Sequence, residues 1–334
     1  MEATARLMDR IRHYCTYFDS RYLYKGLLTY ESLRRHSSSE IILWILCLDE
    51  QAYIVLDKAN LRGVRLIRLR ELEDYDKELF AIKNNRSLVE YFFTCTPCLP
   101  KFIISKNQEI NDITYIDGDL YFFADPELIF SEIVNKSIAI TPHRFSEQNK
   151  FREEWGLYNV AFNFFRRDEY GMACLDWWRN SCIEWCYDRL EDGKFADQKY
   201  LDDWPARFNG VKVLDHPGVN LAPWNVKDAK LELVKKSVHV NGKPLIFFHF
   251  HALKQITRRL FNPCWENYDL IPSHVLRFCI YQPYICNYYK QMLALDSLVQ
   301  LDLGLRDHFP HWIKTRTFYS TICEVLKGRL LFGF

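Results

Sequence analysis

Residues 111–130, NDITYIDGDLYFFADPELIF, constrain this chain more than any other stretch. Ile113, Tyr115 and Ile116 form a β-rich apolar approach to Asp117-Gly118-Asp119, residues 120–123 continue as a second apolar run, and Asp125-Pro126 opens a helix. Two carboxylates one glycine apart at a strand end repel each other unless a cation or a shared proton lies between them. Oxygen ligands of this kind suit a hard divalent ion such as Mg²⁺ or Mn²⁺, with part of its coordination left for phosphates. The competing reading is a tight turn, because Asp-Gly is a common turn dipeptide. The apolar flanks and the matching features elsewhere favour the ion.

Upstream, residues 14–18 (YCTYF) form a β-like run, 19–22 a loop, and 23–35 carry helical apolar spacing. A buried strand at 41–48, a helix at 50–59, a strand at 64–69 and a helix at 71–91 follow. This alternation predicts a largely parallel sheet with helices outside. Ligands of such sheets sit beyond the carboxyl ends of the strands, which places Thr16, Tyr17, Asp19 and Tyr22 at the mouth of the crevice. Further strands are expected around 101–105, 136–142, 156–165, 211–214 and 244–251, with a packed helix over 168–190 and a polar loop over 143–154. Asn159 and Asn163, four apart on a strand, are expected to share a face. His249 and His251, two apart, are expected to share another.

The phrase YIDGDLYFFADPELIF resembles the metal-binding signature of the GT-A glycosyltransferases, the nucleotide-diphospho-sugar transferases, and most resembles their family 8 group and its bacterial relatives. Several motifs in matching order extend the resemblance over roughly the first three quarters of the chain. It implies an α/β fold with a Rossmann-like, mixed, mostly parallel sheet, a catalytic domain over 1–254 and a helical extension over 255–334. It also implies a divalent ion, Mn²⁺ or Mg²⁺, bridging the phosphates of a nucleotide-sugar, with UDP-sugar favoured. Asp119 would be the firmer ligand, Asp117 would touch the ion or the donor ribose, and His249 would be the third ligand, with His251 toward the phosphate. Thr16, Tyr17, Asp19 and Tyr22 would hold the nucleobase. Arg86 and Lys254 would meet the diphosphate, and Asn159 and Asn163 would lie beside the donor sugar. Asp197, with Gln198 beside it, would stand near the anomeric carbon, either as general base in an inverting reaction or as a charge stabiliser in a retaining one. Asn220, Trp224 and Asn225 would shape the acceptor side. The family's longer glycine-containing phrase after the histidine is abbreviated here, with Ala252 where a glycine would stand.

Composition sets limits. With 334 residues and 49% hydrophobic content the chain holds ample core. Its 44 basic and 43 acidic residues leave a net charge of +1, which gives no broad drive toward nucleic acid. Eleven cysteines, odd in number and without a secretory leader before them, read as reduced thiols in a cytoplasmic compartment, and Cys95-Thr96-Pro97-Cys98 as incidental. No apolar run reaches the length of about 20 residues that crosses a bilayer. A basic amphipathic segment at 324–331 would pack on the catalytic domain or touch a membrane surface, which suits a glycan or lipid-linked acceptor. Two other readings remain open: a sugar-phosphate nucleotidyltransferase, disfavoured because no glycine-rich, lysine-bearing loop follows the first strand, and a non-catalytic nucleotide- or glycan-binding protein.

Overall fold

The computed structural model describes residues 11–302 and 330–333. Eight strands matter for the sheet and its edge: β1 (Arg12–Phe18), β2 (Ile41–Cys47), β3 (Val64–Arg68), β4 (Asp112–Ile116), β5 (Leu120–Phe122), β6 (Ile138–Pro142), β7 (Tyr158–Arg166) and β8 (Val211–Val213). Seven of them form one sheet in the order β3-β2-β1-β4-β7-β6-β8. Strand β1 lies parallel between β2 and β4, with Tyr14 opposite Thr114 and Cys15 opposite Tyr115. Strand β7 runs antiparallel to β4 and β6, and β8 runs parallel to β6. The chain first builds outward from β1 to β2 and β3, then returns to place β4 on the other side. That reversal opens a crevice at the shared carboxyl ends of β1 and β4.

Alternation along the strands divides the core. Tyr14, Leu43, Ile45 and Ile116 face helices α1 (Leu23–His36) and α2 (Glu50–Ala59). Cys15, Leu46, Ile113 and Tyr115 face helices α3 (Leu88–Lys106) and α4 (Glu169–Glu184). Asp49 caps α2 by accepting from the Ala52 N–H at 2.8 Å, and Asn60 ends it in the left-handed conformation.

Three expectations are corrected here. The helix at 71–91 is broken: Asp76 accepts from the Leu79 N–H at 3.0 Å and restarts the chain as Lys77–Ile82, and a Ser87–Glu90 capping box then opens α3. The strand at 101–105 is the last turn and a half of α3. This helix contains Pro97 and Pro100 and buries Cys95, Cys98, Leu99, Phe102, Ile103 and Ile104. An element buried on most sides lacks the polar stripe that reveals helical period, and its prolines mimic a break. Helix α4 also stops at Glu184, short of 190.

After Lys254 the chain packs back onto the crevice edge. Helix α5 (Gln282–Asp302) stacks Tyr284 on Phe250 at 3.7 Å, and Asn287 donates to the Tyr121 hydroxyl at 2.8 Å. The expected amphipathic segment at 324–331 lies almost wholly outside the described residues, while Leu331–Phe332 pairs as a strand with Leu260–Asn262. Among the described residues no helix is long and apolar enough to cross a membrane.

Candidate active site

The Asp-Gly-Asp turn joins β4 to β5, and β9 (Phe247–His249) lies antiparallel to β5 with His249 opposite Leu120. That pairing delivers the imidazole to the carboxylates. His249 Nε2 stands 3.1 Å from Asp119 Oδ1 and 3.9 Å from Asp117 Oδ2. One ligand atom from each of the three residues lies within 4.8 Å of the others, and among the described residues no other His, Cys, Asp and Glu group gathers this way. Cys95, Cys98, Cys182 and Cys186 are buried free thiols.

The electrostatics fit a cation. Burial and the neighbouring Asp119 push Asp117 up to about 6, against the pull of His249 and of the Tyr115 hydroxyl, which donates to Asp117 Oδ1 at 3.0 Å. Burial also works to raise Asp119, yet His249 and Lys25 outweigh it and hold this carboxyl well below the usual range. His249 is raised, because the two aspartates overcome its desolvation. Two acids that draw a proton onto a buried imidazole are short of positive charge, and a carboxylate-imidazole donor set suits a divalent metal. Tyr22 donates to Asp119 Oδ2 at 2.8 Å and receives Lys25 Nζ at 3.0 Å.

A cavity of about 820 Å³ opens beside this group, a size suited to a nucleotide-sugar. Tyr17, Asp19 and Tyr22 line it at the β1 end. Thr16 is buried behind them, outside the lining, and its hydroxyl lacks a partner. The Asp19 carboxylate already accepts from the Arg21 and Tyr22 N–H groups at 3.1 and 3.2 Å and from Arg21 Nε at 2.7 Å.

Asp197 and Gln198 both line the cavity. Trp178 Nε1 donates to the Asp197 carbonyl at 2.8 Å, whereas Asp197 Oδ2 is buried without a hydrogen-bond partner. Burial, reinforced by the charge of Asp117 and opposed by the Thr96 hydroxyl, pushes Asp197 up to about 7. Gln198 donates to the Trp155 carbonyl at 3.0 Å and accepts from Asn159 at 3.3 Å. Gly156, at φ 141°, passes so close that a side chain there would meet Gln198 Cγ at 3.2 Å.

Asn159 lines the cavity and shares its amide with His143 Nε2 at 3.0 Å. Asn163 does not line it; it is buried and donates to the Val160 carbonyl at 3.2 Å. The shared-face expectation fails because the β6–β7 register shifts between Ala139 and Thr141. Tyr158 and Val160 face the α3–α4 side along with Phe165, while Ala161, Phe162 and Phe164 face the other side. A bulge of this kind reverses the alternation between Asn159 and Asn163.

Trp224 lines the cavity with its ring edge-on to His249 at 5.1 Å and to His251 at 5.5 Å, and its indole N–H donates to the His143 carbonyl at 2.9 Å. Asn220 and Asn225 are outside the lining. Asn220 donates to the Pro142 carbonyl at 3.3 Å, and Asn225 donates to the His143 and Asn220 carbonyls at 2.8 and 3.0 Å. An irregular buried loop needs partners for its backbone, and these amides supply them.

Two expected cations are elsewhere. Arg86 binds the Tyr187 hydroxyl and the Ile183 carbonyl, the latter at 3.2 Å, and covers the Tyr187 ring, away from the cavity. Carbonyls at the end of α4 attract it. Lys254 pairs opposite Asn262 beyond a turn at Ala252, whose φ of 62° swings the chain off after His251, itself a lining residue. Sequence reading missed Lys25, Arg152, Trp155 and Tyr268. Lys25 carries a signal only once Tyr22, three residues earlier on the same turn, is known to meet Asp119.

No protein-family model matches the chain. YfnD of Bacillus subtilis (strain 168), an uncharacterized protein, is 32% identical over 288 residues, which cover 85% of this chain and 91% of YfnD. YfnF of the same organism, also uncharacterized, is 33% identical over 258 residues, covering 73% of this chain and 82% of YfnF. Among solved structures, the galactosyltransferase LgtC in complex with donor and acceptor sugar analogs superimposes with a TM-score of 0.51 at 14% identity, over 80% of this chain and 100% of LgtC. The chain therefore belongs to the family of YfnD and YfnF, and its sheet, crossovers and crevice make up the fold of the GT-A glycosyltransferases.

Proposed function

We propose that this protein is a metal-dependent glycosyltransferase, nearest the family 8 group, that moves a sugar from a nucleotide-diphosphate sugar, UDP-sugar favoured, to a hydroxyl of a glycan or lipid-linked acceptor. One observation carries the reading: Asp117, Asp119 and His249, from distant parts of the chain, meet at the carboxyl end of β4 on a cavity that also holds Asp197. A bound Mn²⁺ or Mg²⁺ would supply Lewis-acid neutralisation of the charge that develops on the leaving diphosphate. Asp117, Asp119 and His249 would hold it, with Tyr115 and Tyr22 fixing the carboxylates through their hydroxyls. Lys25 supplies the positive charge beside Tyr22 that Lys254 and Arg86 were expected to bring.

Tyr17, packed on Tyr115 and Phe92, gives the β1 end an aromatic wall for a nucleobase. Asp197 takes the role next to the reacting carbon. A carboxyl at about 7 changes charge where the enzyme works, which suits either removal of the acceptor's proton or stabilisation of a developing positive charge. Gln198, held at both ends of its amide, keeps a fixed orientation beside it. Trp224, buried and edge-on to His249 and His251, backs the cavity wall on the acceptor side. The buried free thiols support a reducing, cytoplasmic setting.

The test is a panel of nucleotide-sugars and nucleoside diphosphates, read by thermal stabilisation and by hydrolysis with and without Mn²⁺. UDP and one UDP-sugar should stabilise the protein only with the metal, and Asp119→Ala should abolish the response at unchanged fold. A variant that responds like the parent sinks the metal assignment. Formation of a nucleotide-sugar from a sugar phosphate and a nucleoside triphosphate would favour the nucleotidyltransferase instead.

A further inference from the structure

The cavity lining carries five aspartates, Asp19, Asp117, Asp119, Asp188 and Asp197, against two arginines, Arg21 and Arg152. Arg21 is committed to Asp19, with Nη2 2.6 Å from Oδ2. Arg152 has no acidic partner among the described residues. Its Nε donates to Asn149 Oδ1 at 3.2 Å and its Nη2 to the Asn267 carbonyl at 2.8 Å, both neutral acceptors. A guanidinium offers five N–H donors, so two bonds leave most of the hydrogen-bonding capacity of this lining residue unused. Aromatic rings hold its plane: the guanidinium carbon lies 5.0 Å from the Tyr268 ring centre, 5.0 Å from Phe151 and 5.6 Å from Trp155. A planar cation seated on rings with an open edge is pre-arranged for two-pronged binding of an oxyanion.

Its place in the cavity points to one part of the reaction. Tyr268 packs against Trp224 at 6.4 Å and His251 at 6.3 Å, and the neighbouring Trp155 carbonyl anchors Gln198. Arg152 thus stands against Tyr268 and Trp155, which touch Trp224, His251 and Gln198. We infer that Arg152 reads a carboxylate or phosphate on the acceptor, so that the acceptor is an acidic sugar or sugar phosphate and not a neutral glycan. The inference rests on the glycosyltransferase reading. In a lining rich in aspartate, an acidic acceptor is admitted where this cation, which no carboxylate of the described residues pairs, offers an oxyanion its partner, and is repelled elsewhere.

Calorimetry on the full chain in MnCl₂ and UDP distinguishes the cases. Methyl β-glucuronide probes the carboxylate, glucose 6-phosphate the phosphate, and methyl β-glucoside the neutral sugar. The parent should bind at least one of the two charged probes about tenfold or more tighter than the glucoside, as expected for a charge-assisted pair. Arg152→Gln should bring that ratio near one, and Arg152→Lys, which keeps the charge without the fork, should retain part of it and guards against simple loss of fold. UDP affinity should be unchanged in both variants. Equal binding of charged and neutral probes by the parent, binding of none of them, or a loss in Arg152→Gln confined to UDP overturns the inference. Absence of Mn²⁺-dependent UDP binding in the parent instead overturns the glycosyltransferase reading, while the charged-to-neutral ratio still judges Arg152.

Discussion

Replacing Asp197 with asparagine removes a carboxyl that the fold buries without a counter-charge. Asp197 is 3% exposed, its Oδ2 lacks a hydrogen-bond partner, and burial together with Asp117 pushes it up to about 7. An unfolded aspartate titrates near 3.9, so the gap is about three units, and at about 1.4 kcal/mol per unit it amounts to about 4 kcal/mol. The raised value lies on the folded side, so the folded chain holds the extra proton. Stability from this group is complete below about pH 4 and drains away as the pH rises to about 7, where the folded carboxyl itself ionises. The neutral variant escapes that loss. In urea unfolding with EDTA at pH 4 to 8, the stability of Asp197→Asn minus that of the parent should grow by about 1.4 kcal/mol per pH unit up to about pH 7, then level off. Because the comparison is a difference, titrating groups that do not interact with Asp197 cancel, and Asp117, which does, rounds the slope near pH 6. A gap that stays flat over this range, or that narrows, would refute the assignment of a buried, proton-holding carboxyl. Transfer activity, if Asp197 acts on the reacting atoms, should fall steeply in the same variant even as its stability rises at neutral pH.

Two further outcomes follow from packing. Ala252 sits at φ 62°, a conformation that costs a residue with a Cβ about 1 kcal/mol, so Ala252→Gly should raise the unfolding free energy by a few tenths to about 1 kcal/mol, read as a higher urea midpoint; a lower midpoint would contradict the turn. Arg179 and Asp76 form a buried pair with side chains 8% and 5% exposed; Asp76→Ala leaves the guanidinium only the largely exposed Glu78 and the Asn180 amide and removes the cap of Lys77–Ile82, so it should cost about 3 kcal/mol. Chemical denaturation of that variant showing a loss under about 1 kcal/mol would argue against the pair.

The local signals carried the architecture a long way. Apolar strand runs at 14–18 and 41–48 and the strand-turn pattern around Asp117 each depend on neighbours a few residues apart, and each appears in the fold where period and turn chemistry put it. Helix α3 defeated the same reasoning, since burial between the sheet and α4 erased its polar stripe and two prolines imitated a break. The amides Asn220 and Asn225 looked like sugar ligands because composition does not reveal that a buried loop would consume them.

Which side chains reach the cavity is a different kind of question. A bulge between β6 and β7 separates Asn163 from Asn159, a left-handed residue at Ala252 carries Lys254 away, and Lys25 stays outside the lining behind Tyr22. His249 joins the aspartates only because β9 pairs with β5. Short-range periodicity is written into consecutive residues wherever an element keeps one polar face, so most strands and helices and the metal-type ligands were readable in the chain. Register, bulges and long-range pairing arise from competition among whole elements for burial, and they chose which of the candidate ligands face one another.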